Sequence, residues 1–451
     1  MPLSKLNAEI FEALQSVPIL DGHSHLTNGK LGARGLHDIL LYHMVVSDLY
    51  AAGCPSGARL TEFPHWPSKE EAHTRLREAL PYLKYIQNTN CFWGVRIILR
   101  ELYGWHQPIT AGNWEELDAR IRERAADRPW QRSILRKANI KKVVTEYARR
   151  ETGGGAGADD DIMQYSMEWA FFTRTQKGEN DTAVYELERC WGLPPGSPIP
   201  HAAKARPPAQ KTIRTVEDVQ AALRHFVDEV TKAPVLSYAT HVSSQLNLRR
   251  VSEAEMSRAL ARRATAGVEE RDIYASYINE ALLEALAARA PKVVFQFSLA
   301  AEPLPHETGS LIPQRALAAL AEIISRHNNV KFVCFVASLH ANQALCTFCR
   351  ELPNFALAGY WWHNFFPATI RQLIHERLDM LPVNKQLGFF SDAYALEWAY
   401  AKSVIVRKQL AEVLAAKVAQ GQYSQNEALA IARAIFYETP QTLLGMTAPA
   451  E

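Results

Sequence analysis

The stretch Asp21-Gly22-His23-Ser24-His25 decides the fold, because it places two histidines two residues apart at the end of a short apolar run. The run covers residues 17–20 and follows a segment with helical periodicity, so we assign it to a β-strand. Strict alternation along that strand predicts one shared face for Val17, Ile19, Asp21, His23 and His25. A strand that starts with apolar residues and ends with histidines is typical of a barrel whose mouth contains an active site.

The histidine pair predicts a metal site. Two imidazoles at positions i and i+2 stand about 7 Å apart along a strand, and side chains that lean together can both reach one ion at about 2.1 Å. The alternative is a pair of ordinary polar residues at a strand exit. Histidine is scarce, at fifteen among 451 residues, and Asp21 lies beside the pair. We therefore favour metal binding.

Further apolar, β-branched runs recur along the chain with helical segments between them. After the first strand they are 142–147, 165–173, 235–240, 293–298, 330–336, 355–360 and 387–391. Strands of this kind separated by helices indicate a parallel sheet buried on both faces, and eight of them indicate a closed (β/α)8 barrel, the TIM barrel. Residues 1–26 and 136–451 would form it. Capping-box sequences at Ser252 and Ser424 predict two helix starts.

The long interval between the first two strands predicts a helical insertion. Residues 27–135 have helical periodicity and many aromatic side chains. A structureless loop of this length is improbable inside a compact protein. We expect a helical subdomain that forms one wall of the barrel mouth.

Composition excludes several classes of function. A net charge of +2 with dispersed basic residues offers no stripe for a phosphate backbone, so we expect no nucleic-acid partner. No apolar stretch approaches the roughly 18 residues of a membrane span. The six cysteines form no disulfide framework, and we expect a cytoplasmic protein. The pair Cys346 and Cys349 lies in a helical pattern, which favours a core position over zinc binding.

The last strand ends in Asp392, which would lie beside the first strand in a closed barrel. Its carboxylate could complete a site of two nitrogens and one oxygen, and it could also move a proton. Capping of the following helix is the ordinary alternative. We favour the ligand role, because capping alone does not explain a ligand-type residue at this strand end.

Other strand ends carry weaker signals. The fourth strand ends in Thr240-His241, where His241 could be a further ligand or a substrate contact, and a plain loop histidine is an equally good interpretation. Trp361 and Trp362 follow the seventh strand, and adjacent side chains of a strand point to opposite faces. Core packing is the usual role of tryptophan. An aromatic wall that excludes water would also suit proton transfer.

Taken together, these features resemble uronate isomerase, a family of the amidohydrolase superfamily. The resemblance rests on His23-Ser24-His25, Trp361-Trp362-His363-Asn364, Ser391-Asp392, the large insertion, and the spacing from His43 to Gly53. It spans the chain from the first strand to the last helices. The histidine pair and the strand-end aspartate are common to the superfamily, whereas the tryptophan pair and the His43 spacing are more particular to the family.

The resemblance implies an aldose-ketose isomerase acting on a sugar acid such as glucuronate or galacturonate. A single divalent ion, for which we expect zinc, would be held by His23, His25 and Asp392. His43 would assist ring opening or proton transfer, and Asp392 is the candidate base. We expect a small sugar acid as the partner molecule, no membrane contact, and a homo-oligomer.

Several positions depart from the family pattern. Ala393-Tyr394 replaces the Ser-Arg that follows the family's aspartate, and Ser298 replaces a histidine of the fifth strand. Met44 and Thr240 replace an aromatic hydroxyl and an aspartate. Our candidates for substrate contacts are His241, Arg174, Trp361, Trp362, Tyr394 and Ser298. Arg174 is the candidate for the carboxylate contact, although a solvated loop arginine is nearly as good an interpretation.

The departures leave two other classes of function open. One keeps the metal and changes the reaction, giving a hydrolase or a decarboxylase that acts on another small carboxylate. The other is a binding protein without catalysis on an inherited barrel. We rank it last, because the three expected metal ligands remain.

Overall fold

The computed structural model describes residues 2–54, 68–150, 157–169, 182–191, 211–242, 247–289, 294–299, 312–361 and 365–446. Within these ranges eight parallel strands pair in chain order. They are β1 (Ile19–Ser24), β2 (Ile140–Glu146), β3 (Met163–Trp169), β4 (Ser237–Val242), β5 (Val294–Leu299), β6 (Lys331–Val336), β7 (Phe355–Ala358) and β8 (Gln386–Leu387). The predicted (β/α)8 barrel is confirmed.

Helices alternate with the strands from β3 onward, the elements between β1 and β2 are helices, and a short 3-10 helix, Tyr147–Arg149, is the element described between β2 and β3. The bounds are α1 (Leu3–Leu14), α2 (Leu36–Leu40), α3 (His43–Ala51), α4 (Lys69–Ala79), α5 (Leu83–Ile86), α6 (Asn90–Tyr103), α7 (Trp114–Arg124), α8 (Arg128–Ala138), α9 (Thr182–Cys190), α10 (Val216–Val230), α11 (Glu253–Ala261), α12 (Val268–Arg289), α13 (Gln314–Arg326), α14 (Asn342–Glu351), α15 (Pro367–Met380), α16 (Leu396–Ala419), α17 (Gln425–Arg433) and α18 (Thr439–Leu443). None of the helices described has the length and apolar character to span a membrane.

Local sequence explains several helix ends. The capping boxes predicted at Ser252 and Ser424 are both present, and each serine accepts a hydrogen bond from the backbone of the glutamate three residues later. Cys346 and Cys349 are buried on α14, as expected of core residues.

Backbone hydrogen bonds close the ring between its two ends. Carbonyl groups of the segment after β8 accept hydrogen bonds from β1 and from the residue that follows it. Gly22 N–H donates to Phe389 O at 3.0 Å, and His25 N–H donates to Ala393 O at 2.8 Å. In return Asp392 N–H donates to His23 O at 2.9 Å. The eighth strand itself is shorter than predicted, because residues 388–391 lie outside regular strand pairing. The first and last parts of the polypeptide therefore meet side by side.

A separate core cluster fills the barrel interior, distinct from the larger clusters beneath the helices. It consists of Leu20, Val144, Val294, Val333, Phe335, Ala337, Ala356, Ala358, Trp361, Leu387, Phe390 and Leu444. Phe295 and Phe297 of β5 pack in the helix-side cluster instead. By alternation, the other face of β5, with Ser298 near its carboxyl end, faces the interior.

The expectation that β1 keeps one face from Val17 to His25 is wrong. Ile19 packs in the helix-side core and Leu20 in the barrel interior. Pairing with β2 shifts register between Ile19 and Leu20 and again between Asp21 and Ser24. Such a bulge adds a residue and re-aims the side chains beyond it. The bulge is the reason that His23 reaches interior aromatic rings although Ile19 does not.

Candidate metal centre

His23, His25 and Asp392 meet at the carboxyl ends of the strands, as the sequence predicts. The Oδ1 atom of Asp392 lies 3.0 Å from His25 Nε2 and 3.3 Å from His23 Nε2. One ligand atom from each residue lies within 4.8 Å of the others, and no other such group of three occurs in the described parts of the chain. His23 and Asp392 are buried and His25 is nearly so. Two imidazoles and a carboxylate thus converge at a position largely shielded from water.

The backbone of Asp392 turns its side chain toward the histidines. Its φ of 55° lies in the left-handed region, which side-chain-bearing residues rarely adopt. In this conformation the carboxylate contacts the histidines while the backbone carbonyl accepts a 2.6 Å hydrogen bond from the Tyr42 hydroxyl. The capping alternative for Asp392 is not borne out, because the N-cap of α16 is Ala395.

Tyr42 and Lys402 form a buried support behind the aspartate. The Lys402 ammonium donates to the Tyr42 hydroxyl at 2.7 Å and also to the carbonyl oxygen of Ser391. It lies over the rings of Tyr42 and Phe365, at 4.8 and 4.6 Å from their centroids. Burial lowers the pKa of Lys402 to about 8. Sequence reasoning missed both residues, because Tyr42 lies in the insertion and Lys402 lies within the buried helix α16.

Asp21 braces the backbone and is not a member of the ligand group. Its Oδ1 accepts from Ser391 N–H at 2.9 Å and from His23 N–H at 3.4 Å. Burial raises the pKa of Asp21 to about 7, although these hydrogen bonds oppose the change. The carboxyl group therefore joins β1 to the segment after β8.

Glu146 is a site residue that sequence reasoning missed. It ends β2, and its Oε1 makes a very short contact with His25 Nδ1. A carboxylate on the far nitrogen fixes the tautomer and the orientation of a ligand histidine. Its other oxygen accepts from Arg149 Nε at 3.0 Å. An acidic residue at the carboxyl end of a barrel strand was the available signal.

His43 lies on the open side of the cluster. Its Nε2 lies 3.4 Å from Asp392 Oδ2, the oxygen farther from the other histidines, and 27% of its side chain is exposed. Burial lowers the pKa of His43, and its hydrogen bond to Asp392 opposes this only in part. The imidazole is therefore neutral near pH 7 and accessible from the mouth.

Electrostatics keep Asp392 ionised. Burial would raise its pKa, but hydrogen bonds with His23, His25 and His43 outweigh it and hold the pKa well below 3.8. Burial would likewise lower the pKa of His25, and interactions with Tyr394, Glu146 and Asp392 raise it well above 6.5. The Asp392 carboxylate therefore faces a positively charged imidazole on His25.

Aromatic rings surround the histidines. Tyr394 stacks on His25, with ring centroids 4.5 Å apart and planes 15° apart. Phe335 lies 5.1 Å from the His23 ring, and Trp361 packs edge-on against Phe335 at 4.8 Å. Of the predicted aromatic contacts, Tyr394 therefore touches a histidine, whereas Trp361 lies one ring further inside the barrel.

The remaining predicted substrate residues have mixed placements. Ser298 is buried near the carboxyl end of β5 and pairs in register with His241 of β4. The backbone of His241 therefore lies at the barrel mouth, while its side chain lies outside the described part of the structure. Arg174 and Trp362 also lie outside the described residues.

The donor set fits a divalent metal ion. Zinc in catalytic sites takes three protein ligands from histidine and carboxylate groups and keeps a fourth position for water or substrate. Ligand atoms about 2.1 Å from a tetrahedral ion stand about 3.4 Å apart, close to the two observed separations from Asp392 Oδ1. The Glu146 contact also supplies the outer partner that ligand histidines require.

The fold and site together define a (β/α)8 barrel with a His-His-Asp cluster at its mouth. The structure is similar to uronate isomerase from Thermotoga maritima, with a TM-score of 0.76 and 13% identity over 98% of this chain and 97% of that one. It is also similar to glucuronate isomerase from Caulobacter crescentus, with a TM-score of 0.75 and 14% identity over 100% of this chain and 95% of that one.

A structure assigned as a metal-dependent hydrolase from Lactobacillus casei is similar as well, with a TM-score of 0.57 and 13% identity over 97% of each chain. No protein-family model and no curated protein sequence matches this chain. At these identities the likeness establishes the shared fold. It extends over nearly the whole length of each neighbour.

Proposed function

We propose that this protein is a metal-dependent enzyme that interconverts the aldose and ketose forms of a sugar acid. The observation that carries the proposal is the convergence of His23, His25 and Asp392 on one point at the barrel mouth. The whole-chain likeness to uronate and glucuronate isomerases supports the reaction class.

The first role of the chain is to hold the ion and the substrate oxygens together. His23, His25 and Asp392 would hold the metal, and Glu146 would orient His25. When bound, a divalent ion supplies a Lewis acid that stabilises negative charge developing on the substrate oxygens.

The second role is proton transfer. Isomerisation removes the proton from the carbon beside the aldehyde, and the electrons of that bond form an enediol. A proton then adds to the former aldehyde carbon, while the neighbouring hydroxyl becomes the ketone. Asp392 is ionised and can accept the proton, and neutral His43 lies 3.4 Å from its Oδ2. These two residues would carry the proton, and His43 would also assist ring opening.

The third role is exclusion of water. The rings of Tyr394, Phe335 and Phe390 line the histidines. A dry surrounding strengthens the electrostatic interactions and protects an enediol from side reactions.

The direct test is turnover of uronates by zinc-loaded protein. Ketose formation from glucuronate or galacturonate is expected, with deuterium incorporated at the receiving carbon in heavy water when the proton exchanges on the base. His23→Asn should abolish zinc binding and turnover, while His106→Asn, at an exposed histidine, should change neither. Zinc-loaded protein that forms no ketose from either uronate would refute the proposal.

A hydrolase or decarboxylase acting on another small carboxylate is the second candidate. The Lactobacillus casei neighbour supports it, and so do the substitutions that leave Ser298 and Tyr394 where the resemblance implies histidine and arginine. Metal-dependent release of carbon dioxide or of a hydrolysis product, without ketose formation, would favour this candidate over isomerisation.

A further inference from the structure

A layered arrangement extends from the candidate metal centre to the rim of the barrel mouth. His25 stacks on Tyr394, and the guanidinium carbon of Arg149 lies 5.2 Å from the centre of the Tyr394 ring. Arg149 ends a short 3-10 helix, Tyr147–Arg149, that directly follows β2. A permanent positive charge therefore lies two layers from a histidine of the cluster.

The position of Arg149 is fixed from two sides. Its Nε donates to Glu146 Oε2 at 3.0 Å, and its backbone carbonyl accepts from Asn28 N–H at 3.2 Å. The side chain is 18% exposed. A guanidinium held in this way loses little conformational freedom when it binds a ligand.

The terminal nitrogens of Arg149 have no hydrogen-bond partner among the residues that the structure describes. Within the described ranges Arg149 makes one side-chain hydrogen bond, through Nε, and its two terminal nitrogens donate to none of the residues there. Two parallel N–H groups match the two oxygens of a carboxylate. The neighbouring Arg150 differs, since it is exposed and its one side-chain hydrogen bond to a described residue goes to the Tyr147 hydroxyl, at 3.5 Å.

We propose that Arg149 binds the carboxylate of the substrate and thereby selects sugar acids over neutral sugars. This inference rests on the proposed function, because it assumes that the substrate reaches the His23, His25 and Asp392 cluster. An open-chain sugar acid can place one end at the cluster and its carboxylate at the rim, with Tyr394 beneath it. Arg149 is then a specificity residue, and Glu146 links it to His25.

The test compares Arg149→Met and Arg149→Lys with the matched control Arg150→Met. KM and kcat are measured for glucuronate and for glucose, its neutral counterpart. Arg149→Met should raise KM for glucuronate about tenfold or more, as expected for loss of a charged hydrogen bond, and leave the kinetics on glucose unchanged. Arg149→Lys should recover part of the loss, and Arg150→Met should match the unmodified protein. An equal rise in KM for glucuronate and for glucose would overturn the inference.

Two further measurements separate substrate binding from support of Glu146. Arg149→Met should keep its zinc affinity, whereas a loss of zinc affinity equal to that of Glu146→Gln would reduce Arg149 to a structural role. Calorimetry with gluconate, an acid without the aldehyde, should give about tenfold weaker binding to metal-free Arg149→Met than to the metal-free unmodified protein. This binding comparison decides the role of Arg149 even where uronate turnover is absent and the proposed function fails. Equal gluconate affinities would refute the inference.

Discussion

The Tyr42 hydroxyl donates a 2.6 Å hydrogen bond to the backbone carbonyl of Asp392. Tyr42 in turn accepts a hydrogen bond from the buried Lys402, while the carboxylate of Asp392 contacts three histidines. A rare left-handed backbone conformation is thus held from behind.

Removal of the Tyr42 hydroxyl should weaken metal binding without unfolding the protein. Tyr42→Phe keeps the ring but leaves a buried carbonyl without this donor, so Asp392 is held less firmly. We expect zinc affinity to fall about tenfold in a competition titration with a chromophoric chelator. Tyr85→Phe, at a tyrosine that is 59% exposed, is the control and should not change the affinity. Equal affinities for the two variants would contradict the supporting role of Tyr42.

Glu146 should tune the affinity of the site for metal. Glu146→Gln removes the negative charge that polarises His25 through Nδ1. Outer-shell partners of this kind typically contribute about 10- to 100-fold in metal affinity, and we expect a loss in that range. The control is Glu116→Gln, which removes an exposed carboxylate paired with Arg120. A variant at Glu146 with full affinity would show that His25 needs no outer partner.

Gly22 should tolerate no side chain. A Cβ at this position would lie 2.2 Å from the Phe390 ring in the barrel interior. Gly22→Ala is therefore expected to destabilise the fold by about 1–3 kcal/mol through overpacking, measured by denaturant unfolding. Gly112→Ala is the control, because its nearest neighbour would be 3.9 Å away. Similar stabilities of the two variants would mean that Phe390 can move aside.

His37 should make the protein sensitive to acid. Burial lowers the pKa of His37 to about 4 from 6.5, so the folded protein keeps this imidazole neutral where the unfolded chain binds a proton. Stability is then fully present above pH 6.5 and falls as the pH drops toward 4, by at most about 3 kcal/mol from this group.

His37→Gln should flatten the slope of unfolding free energy against pH between 6.5 and 4, whatever its effect on overall stability. The exposed His106→Gln provides the comparison and should keep the slope of the unmodified protein. If His37→Gln keeps the full slope of unfolding free energy against pH, burial of His37 does not cause the acid sensitivity.

The barrel and its three proposed metal ligands could be predicted because their signals are local. Each strand is an apolar run, and His23, His25 and Asp392 stand at strand ends, where a barrel gathers them. The face of β1 could not be predicted, since its register shift depends on pairing with a strand more than a hundred residues later. Tyr42 and Lys402 were missed for a related reason, because they meet across 360 positions of sequence.

Glu146 and Arg149 were within reach of sequence reasoning. Both lie at or just after the end of a predicted strand, and charged residues at that position of a barrel typically line the active site. The missing information was the stacking of Tyr394 between His25 and Arg149, which no spacing in the sequence reveals.

The closure between β1 and the segment after β8 has a consequence for synthesis of the protein. His25 and Asp392 are 367 positions apart, so a ribosome makes the two imidazoles long before it makes the carboxylate. A nascent chain that has not yet reached Asp392 carries two of the three proposed metal ligands. Binding of an ion at the proposed site would therefore require a chain translated past Asp392 and a barrel whose two sides have joined.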